Sequence, residues 1–458
     1  MALVTNSRNT GGPGTMAGGR MGRTLDVLVF GMSDGVEALS EKLGRLALNC
    51  RLVRADSPPA RRHHFWAVGV ILAECDRDVE DGLKAFERFA PGERPILVVG
   101  PDSYGSEEQA DAWIREPATP VQIAARVRAL FRLHTMEIIA RRRTEVSALY
   151  GQKAGLVERQ DQPPCILYVG DASPRFMALQ HTLASVDADV IAAFSSYSAF
   201  DYLHERAFDA VVLNAEGKRD IAFTISSAMR RNARLYHTPV LLLTDDVDTE
   251  TSEEAFARGV SDLLPPGTDD TELRDRVLTL TSERRRRREA KATLEACRDT
   301  RSLDIETGLF HASFLTSHVE DLLQASARDE LHFSMIALQI MLPDGAERPD
   351  ETSAEKARRQ FAAMLRHLLR TEDAAARFDE DIFLAVLPFT DTVGIDCVAA
   401  RVAAIAECTA FESDDPLRPF RLSVRAAPVP TRPGETADVL IDRARRNLLR
   451  PTPIIASA

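Results

Sequence analysis

Residues 370–373, R-T-E-D, set an arginine and a carboxylate three positions apart. A guanidinium fork can donate to paired acceptors or reach a phosphate, and a carboxylate can accept from paired N–H donors. The same spacing at a helix end commonly makes a solvated ion pair, so Arg370 and Asp373 need context. That context is RFDEDIFLAVLP, residues 377–388, which reads as strand, tight turn and buried strand. The turn crowds Asp379, Glu380 and Asp381 together. Asp381 is a cation-ligand type, but the group repels a polyphosphate. One like-charge pair at ~4 Å costs about 1 kcal/mol in water and about 4 kcal/mol at an effective dielectric of 20. Downstream, Arg401 in CVAARVAAI offers a further charge and a stacking plane.

The elements that must hold these residues lie in residues 303–450. FSMIALQIML reads as a strand, as does RLSVRAAP. AEKARRQFAAMLRHLLR carries Phe361, Met364, Leu365, Leu368 and Leu369 at helical spacing. Upstream, residues 24–134 alternate helical patterns with the apolar runs DVLVF, VGVIL and PILVV, as suits strands buried on both faces of a parallel sheet. VQIAARVRALFRL closes that segment as an amphipathic helix with Ile123, Val127, Leu130 and Phe131 on one face. Residues 163–281 repeat the plan with CILYV, DVIAAF, DAVVL, PVLLL and a last helix, TELRDRVLTL. The expectation is an α/β chain with two doubly wound domains before a third α/β domain.

Residues 135–162 and 282–302 read as charged linker helices, the second with Leu280, Leu294 and Cys297 as sparse apolar points. The arginine run 284–288 could be a nucleic-acid patch; in an acidic chain it reads as a solvated face pairing with Glu283, Glu289 and Glu295. Residues 1–23, rich in Gly, Thr and Asn, are expected to form a disordered tail, and residues 451–458 a frayed end. A net charge of −12 over 458 residues argues against bulk nucleic-acid or anionic-membrane binding. No apolar run approaches ~18 residues, so no membrane span is expected. The cysteines, Cys50, Cys75, Cys165, Cys297, Cys397 and Cys408, show no C-x-x-C spacing and sit at or in apolar runs. Buried free thiols and a cytoplasmic setting follow, with no metal expected.

The two repeated segments resemble response-regulator receiver domains, through PVLLLTDD in the second and PVQIAARVRALFRL in the first. Receivers phosphorylate an aspartate beside a magnesium-binding acidic pair and a lysine. In the first copy the acidic-pair position runs Gly31, Met32, Ser33; Glu74, after Ala73, holds the acceptor column; and Glu116 before Pro117 holds the lysine column. Glu74 reads as an exposed loop residue, with a phosphoaspartate mimic as the alternative. In the second copy Asp171 survives, Asn214 replaces the acceptor, and Pro265 and Pro266 cover the lysine column. An amide oxygen is a poor nucleophile, so both copies are expected to be docking or dimerisation modules.

LDIETGLFHASFL resembles the entry motif of GGDEF domains, the diguanylate cyclases that join two GTP molecules into cyclic di-GMP. Asp304, Thr307, Gly308 and Leu309 match, and His311 replaces an Asn. The signature aligns with Asp379, Glu380, Asp381, Ile382 and Phe383. The resemblance implies two magnesium ligands, but the first falls on Gln339. Met341, Leu342 and Pro343 break the guanine-reading pattern, and the C-terminal lysine falls near Pro451 and Thr452. Cyclase activity is therefore not expected. The family's R-x-x-D product site falls on Arg370 and Asp373, five residues before the signature. Arg377 keeps its place, and a second family arginine falls on Arg401.

The order receiver, receiver, GGDEF resembles the PleD-like and PopA-like response regulators. This implies a non-catalytic cyclic di-GMP effector of the bacterial cell cycle: an adaptor and homodimer recruiting protein partners for localised proteolysis of a regulator, at the cell pole. The residues leave open a nucleotide-independent scaffold, a residual cyclase and a phosphorylation switch.

Overall fold

In the computed structural model the described residues are 25–32, 35–53, 67–89, 93–101, 110–152, 162–245, 248–265, 267–415 and 417–449. The expected tails lie outside them, as do Ser33, Pro266, Pro451 and Thr452.

The runs DVLVF, VGVIL and PILVV become strands β1 (Leu25–Phe30), β3 (Val68–Leu72) and β4 (Ile96–Gly100), and β2 (Leu48–Val53) and β5 (Ala112–Arg115), which carry no such run, complete the sheet. They pair in parallel in the order β2-β1-β3-β4-β5, the CheY-type doubly wound order. Helices α1 (Gly35–Arg45), α2 (Asp76–Phe89) and α3 (Pro120–Leu149) cover the sheet. Gly69 in β3 is required: a Cβ there would meet the Phe86 ring of α2 at 2.6 Å.

The second sheet has the same winding. Strands β6 (Cys165–Val169), β7 (Asp189–Ala193), β8 (Ala210–Asn214), β9 (Val240–Leu243) and β10 (Asp262–Leu264) run β10-β9-β8-β6-β7. Around them lie α4 (Pro174–Ala184), α5 (Ser196–Glu205), α6 (Arg219–Arg231), α7 (Thr249–Ala257) and α8 (Asp270–Ala296). The third sheet is antiparallel, order β12-β13-β11-β14, from β11 (Phe333–Met341), β12 (Ala374–Arg377), β13 (Ile382–Pro388) and β14 (Ser423–Pro430). Its helices are α9 (Ala312–Ala327), α10 (Glu351–Leu368), α11 (Thr392–Cys408) and α12 (Ala437–Leu448).

The charged linkers differ from expectation. Helix α3 continues unbroken for 30 residues, capped by Thr119 with Pro120 in its first turn. Helix α8 continues for 27, capped by Asp269. Neither interior contains Gly or Pro to stop it. Both are buried against their neighbours rather than solvated. Ile138, Ile139 and Val146 of α3 and Ala290 and Leu294 of α8 join one core with Phe310, Phe314 and Leu315 of the third domain. The arginine run bridges elements instead of pairing along its own helix. Arg285 and Arg288 reach Asp209 at 3.0 and 3.5 Å, and Arg286 reaches Glu137 of α3 at 2.7 Å. Buried Arg126 of α3 pairs with Glu283. A charge taken out of water needs a partner, and the facing helix supplies it.

The cysteines are free, but only Cys297 is buried; Cys75, Cys397 and Cys408 are exposed. Helix α11 buries the stripe Ile395, Ala399, Val402 and Ala406, which leaves Cys397 and Cys408 on its other faces. Among the described residues no helix is long and apolar enough to cross a membrane.

Candidate functional site

Strands β12 and β13 form the expected hairpin, with Phe378 N–H donating to the Ile382 carbonyl at 2.9 Å. The turn carboxylates are all engaged by arginines. Arg358 of α10 bonds Asp381 at 2.9 Å, Glu351 at 2.7 Å and Glu355 at 3.1 Å, and lies 3.9 Å from Glu380. Arg445 of α12 lies 3.3 Å from Asp379. Burial works against the charge on Arg358, but its hydrogen bonds to Glu351, Asp381 and Glu355 outweigh that and hold its pKa above the ordinary value. Arg377 bonds Glu355 at 3.2 Å and Glu306 at 3.4 Å. Gln339 lies opposite Ile382 on β11. Among the described residues no group of three or more His, Cys, Asp or Glu side chains could hold a metal.

The other end of β12 is different. After α10 ends at Leu368, residues 370–373 turn back into the sheet, and Asp373 Oδ2 accepts from the Arg370 N–H at 2.8 Å. Asp373 is 8% exposed, and among the described residues its Oδ1 has no hydrogen-bond partner. Burial, then the neighbouring charge of Glu372, push its pKa up to about 7 against the opposing pull of Arg370 and Arg143. Arg370 and Asp373 line one cavity of about 280 Å³, together with Arg298, Arg366 and Glu295.

Arg143 of α3, 1% exposed, supports the turn from behind. It donates to the carbonyls of Thr371 (3.2 Å), Glu372 (2.6 Å) and Asp373 (3.3 Å). Its guanidinium also lies 5.5 Å from the centre of the Phe310 ring. Burial lowers its pKa to about 10. No carboxylate forms a salt bridge with it among the described residues, so backbone carbonyls and an aromatic face solvate the charge.

Arg401 of α11 donates to the Leu368 carbonyl at 2.9 Å and is not part of the cavity wall. The structure thus brings Arg370 and Asp373 together and sets Arg401 beside the end of α10. Sequence reasoning missed Arg143, Arg298 and Arg366. Arg366 had a signal, four residues before Arg370 at helical spacing; Arg143 had none within its arginine run.

In the second receiver-like domain the expected phosphoacceptor column is engaged by internal contacts. Lys218 Nζ donates to both Asp171 oxygens at 2.8 Å. Asn214 donates to the Tyr168 hydroxyl at 3.1 Å and accepts from Glu216 N–H at 3.1 Å. In the first copy Glu74 is exposed, and its N–H donates to Asp78 at 2.8 Å. Met32, Glu74, Asp78 and Glu116 line a cavity of about 220 Å³ there.

Two parallel sheets wound in the CheY-type order and a hairpin-bearing antiparallel sheet make this an α/β chain of three sheets. The chain is similar to response regulator PleD from Caulobacter vibrioides, 24% identical over 303 residues. That match covers 65% of this chain and 66% of PleD, just under two thirds of the relative's length. No protein-family model matches the chain. Among solved structures, the FimX GGDEF domain from Pseudomonas aeruginosa is 18% identical over 32% of this chain and 91% of that one, with a TM-score of 0.29. The DgcB GGDEF domain from Caulobacter crescentus, in complex with c-di-GMP, is 13% identical over 33% of this chain and 88% of that one, TM-score 0.29. A putative response regulator from Chloroflexus aurantiacus is 22% identical over 26% of this chain and 99% of that one, TM-score 0.25.

Proposed function

We propose that the chain is a non-catalytic cyclic di-GMP effector, binding the dinucleotide at Arg370 and Asp373 with Arg401 alongside. The observation that carries this reading is the buried, unpartnered Oδ1 of Asp373 on the wall of the cavity that also presents Arg370. Buried acceptors are nearly always hydrogen-bonded, and the N1–H and N2–H edge of guanine supplies the missing donors. The loss of cyclase activity is supported by Gln339 at the first metal column and by Arg358 at Asp381. A neutral amide is a weak magnesium ligand, and an arginine already satisfies the remaining carboxylate. The domain boundaries at residues 134, 162, 281, 302 and 450 are part of the same reading. So are a homodimer, a cytoplasmic and polar location, and recruitment of protein partners for regulated proteolysis; these rest on the resemblance to PleD-like regulators.

Isothermal calorimetry with cyclic di-GMP tests the site. Micromolar or tighter binding is expected in the wild type and none in Arg370→Gly with its fold intact. Unchanged affinity in that variant refutes the site, and a flat wild-type titration with an intact dimer favours a nucleotide-independent scaffold. Chromatography after incubation with GTP and magnesium tests the second half; cyclic di-GMP product would refute it.

A further inference from the structure

One stripe of α8 holds cations that the chain does not fully pair. Arg284, Arg287, Arg288 and Lys291 recur at i, i+3, i+4 and i+7, so they share a face of the helix. That face meets the loop between α6 and β9. There the rings of Tyr236 and His237 stand edge to face with centroids 4.9 Å apart. Arg230 fixes the loop by donating to the carbonyls of Gly259 at 2.8 Å, Tyr236 at 2.7 Å and Thr238 at 2.8 Å. Among the described residues neither Arg284 nor Arg287 forms a salt bridge, and the Nε of Arg284 is buried without an acceptor. The nearby carboxylates are already shared. Asp209 is bonded by Arg285 at 3.0 Å and Arg288 at 3.5 Å, and Glu295 lies 3.6 Å from Lys291. Burial, then the charges of Arg287, Arg284, Lys291 and Arg230, lower the pKa of His237 to about 4. The charges that act most on that ring are thus all cations. Tyr236, Arg288 and Lys291 are exposed, so the patch is open to solvent.

We propose that this patch is a docking surface for a short acidic segment of a protein partner. The forks of Arg284 and Arg287 bind carboxylates, Lys291 adds a point charge further along the helix, and the Tyr236 ring offers apolar contact beside them. An acidic segment fits this surface better than nucleic acid does. The chain's net charge is −12, so a polyanion running beyond the patch meets repulsion, while a short segment ends where the cations end. Charge complementarity of this kind sets partner choice and encounter rate more than raw affinity. The proposal rests on the partner-recruitment part of the reading above and not on the dinucleotide site, so either can fail alone.

The test uses the full chain without dinucleotide and a fluorescein-labelled oligoglutamate peptide, followed by fluorescence anisotropy. Saturable binding is expected in the wild type, and it should weaken as added salt screens the patch. Arg284→Gln and Lys291→Gln should each weaken it by about two- to fivefold, and the double variant should weaken it further. Arg45→Gln, at an exposed position of α1, should bind as the wild type does. No binding by the wild type, or undiminished binding by the double variant, overturns the proposal. Tighter binding of a single-stranded oligonucleotide of equal charge assigns the patch to nucleic acid, and self-association that Arg284→Gln abolishes assigns it to a second copy; either result also overturns the proposal. Lys291 is exposed, so its variant decides the matter even if Arg284→Gln loses its circular-dichroism signal.

Discussion

The two turns flanking β12 carry similar residues and hold them in opposite ways. After the strand, Asp379, Glu380 and Asp381 are met by Arg445 and Arg358, so the carboxylates find cations inside the chain. Before it, Arg370 faces a cavity shared with Arg298 and Arg366, while the nearby Asp373 keeps one oxygen without a donor. Motif letters do not separate these cases; charge balance does. A turn whose charges close on themselves has no electrostatic need of a ligand. A turn with surplus guanidiniums and an orphan acceptor has one.

Breaking the support behind the open turn should have the largest effect. Arg143→Ala strips the Thr371, Glu372 and Asp373 carbonyls of their donor in a buried place. It should cost about 3 kcal/mol or more, since each unsatisfied buried group costs about 1–3 kcal/mol. Urea unfolding measures the loss, and calorimetry should show weaker cyclic di-GMP binding. Arg143→Lys should not restore it, because one ammonium cannot reproduce the planar fork. Unchanged stability in the alanine variant would mean that the turn holds itself.

The closed turn should yield a smaller effect of a different kind. Arg358→Met leaves Glu351, Glu355, Glu380 and Asp381 without their shared cation. A loss of about 1–2 kcal/mol is expected, since Arg358 is buried but several partners are exposed. Magnesium or calcium should recover part of the melting temperature in the variant and none in the wild type. A metal-independent variant would show that Arg358 does not stand in for a bound cation.

How much of this was legible depends on which physical signal dominates each region. Strands such as VGVIL and VLLL were readable because they are apolar and largely buried; β2, β5 and β10 were not, since Asn, Cys and Arg interrupt LNCRLV and the other two are only four and three residues long. The R-x-x-D turn was readable from its offset to the hairpin. The roles of α3 and α8 were not, because their charge density masks the apolar stripe. Arg141, Arg142 and Arg143 show why. Their side chains are 54%, 13% and 1% exposed. A helix rotates about 100° per residue, so identical letters in a row face solvent, rim and core in turn. Only the packing of α9 and Phe310 against α3 decides which arginine is inside. Arg401 shows the converse: its letters suggested a ligand contact, while in the fold it donates to the Leu368 carbonyl at the end of α10.

Acidity gives a finer probe of the open turn. Asp373 has its pKa pushed up to about 7, mainly by burial, against about 3.9 unfolded. The folded state therefore binds the extra proton between those values. The group's contribution favours folding at acid pH and is lost as pH rises toward 7. Ligand binding runs the other way, because guanine N–H donors require the carboxylate. Cyclic di-GMP affinity should fall several-fold from pH 7.5 to pH 6, as calorimetry at matched ionic strength would show. Asp373→Asn should abolish that dependence and bind weakly throughout. A wild-type profile flat over the same range would mean that Asp373 does not accept from the ligand.

The smallest effect belongs to the second receiver-like domain, which uses the same internal-cation device at its surface. Lys218 neutralises Asp171 with both oxygens at 2.8 Å, yet the two side chains are 54% and 61% exposed. Solvent screening limits such a pair to under about 1 kcal/mol. Lys218→Met should therefore shift the melting temperature only slightly. It should also not restore phosphorylation, because Asn214 still lacks a nucleophilic carboxylate. Mass spectrometry after incubation with acetyl phosphate should find no adduct in the wild type or in this variant. An acyl-phosphate on either protein would show that a carboxylate outside the Asn214 column accepts the group. Exposure is thus what separates the two internal cations. Arg358 is 8% exposed and Lys218 is 54% exposed, so the internal cation is expected to stabilise the hairpin turn and to contribute little at Asp171.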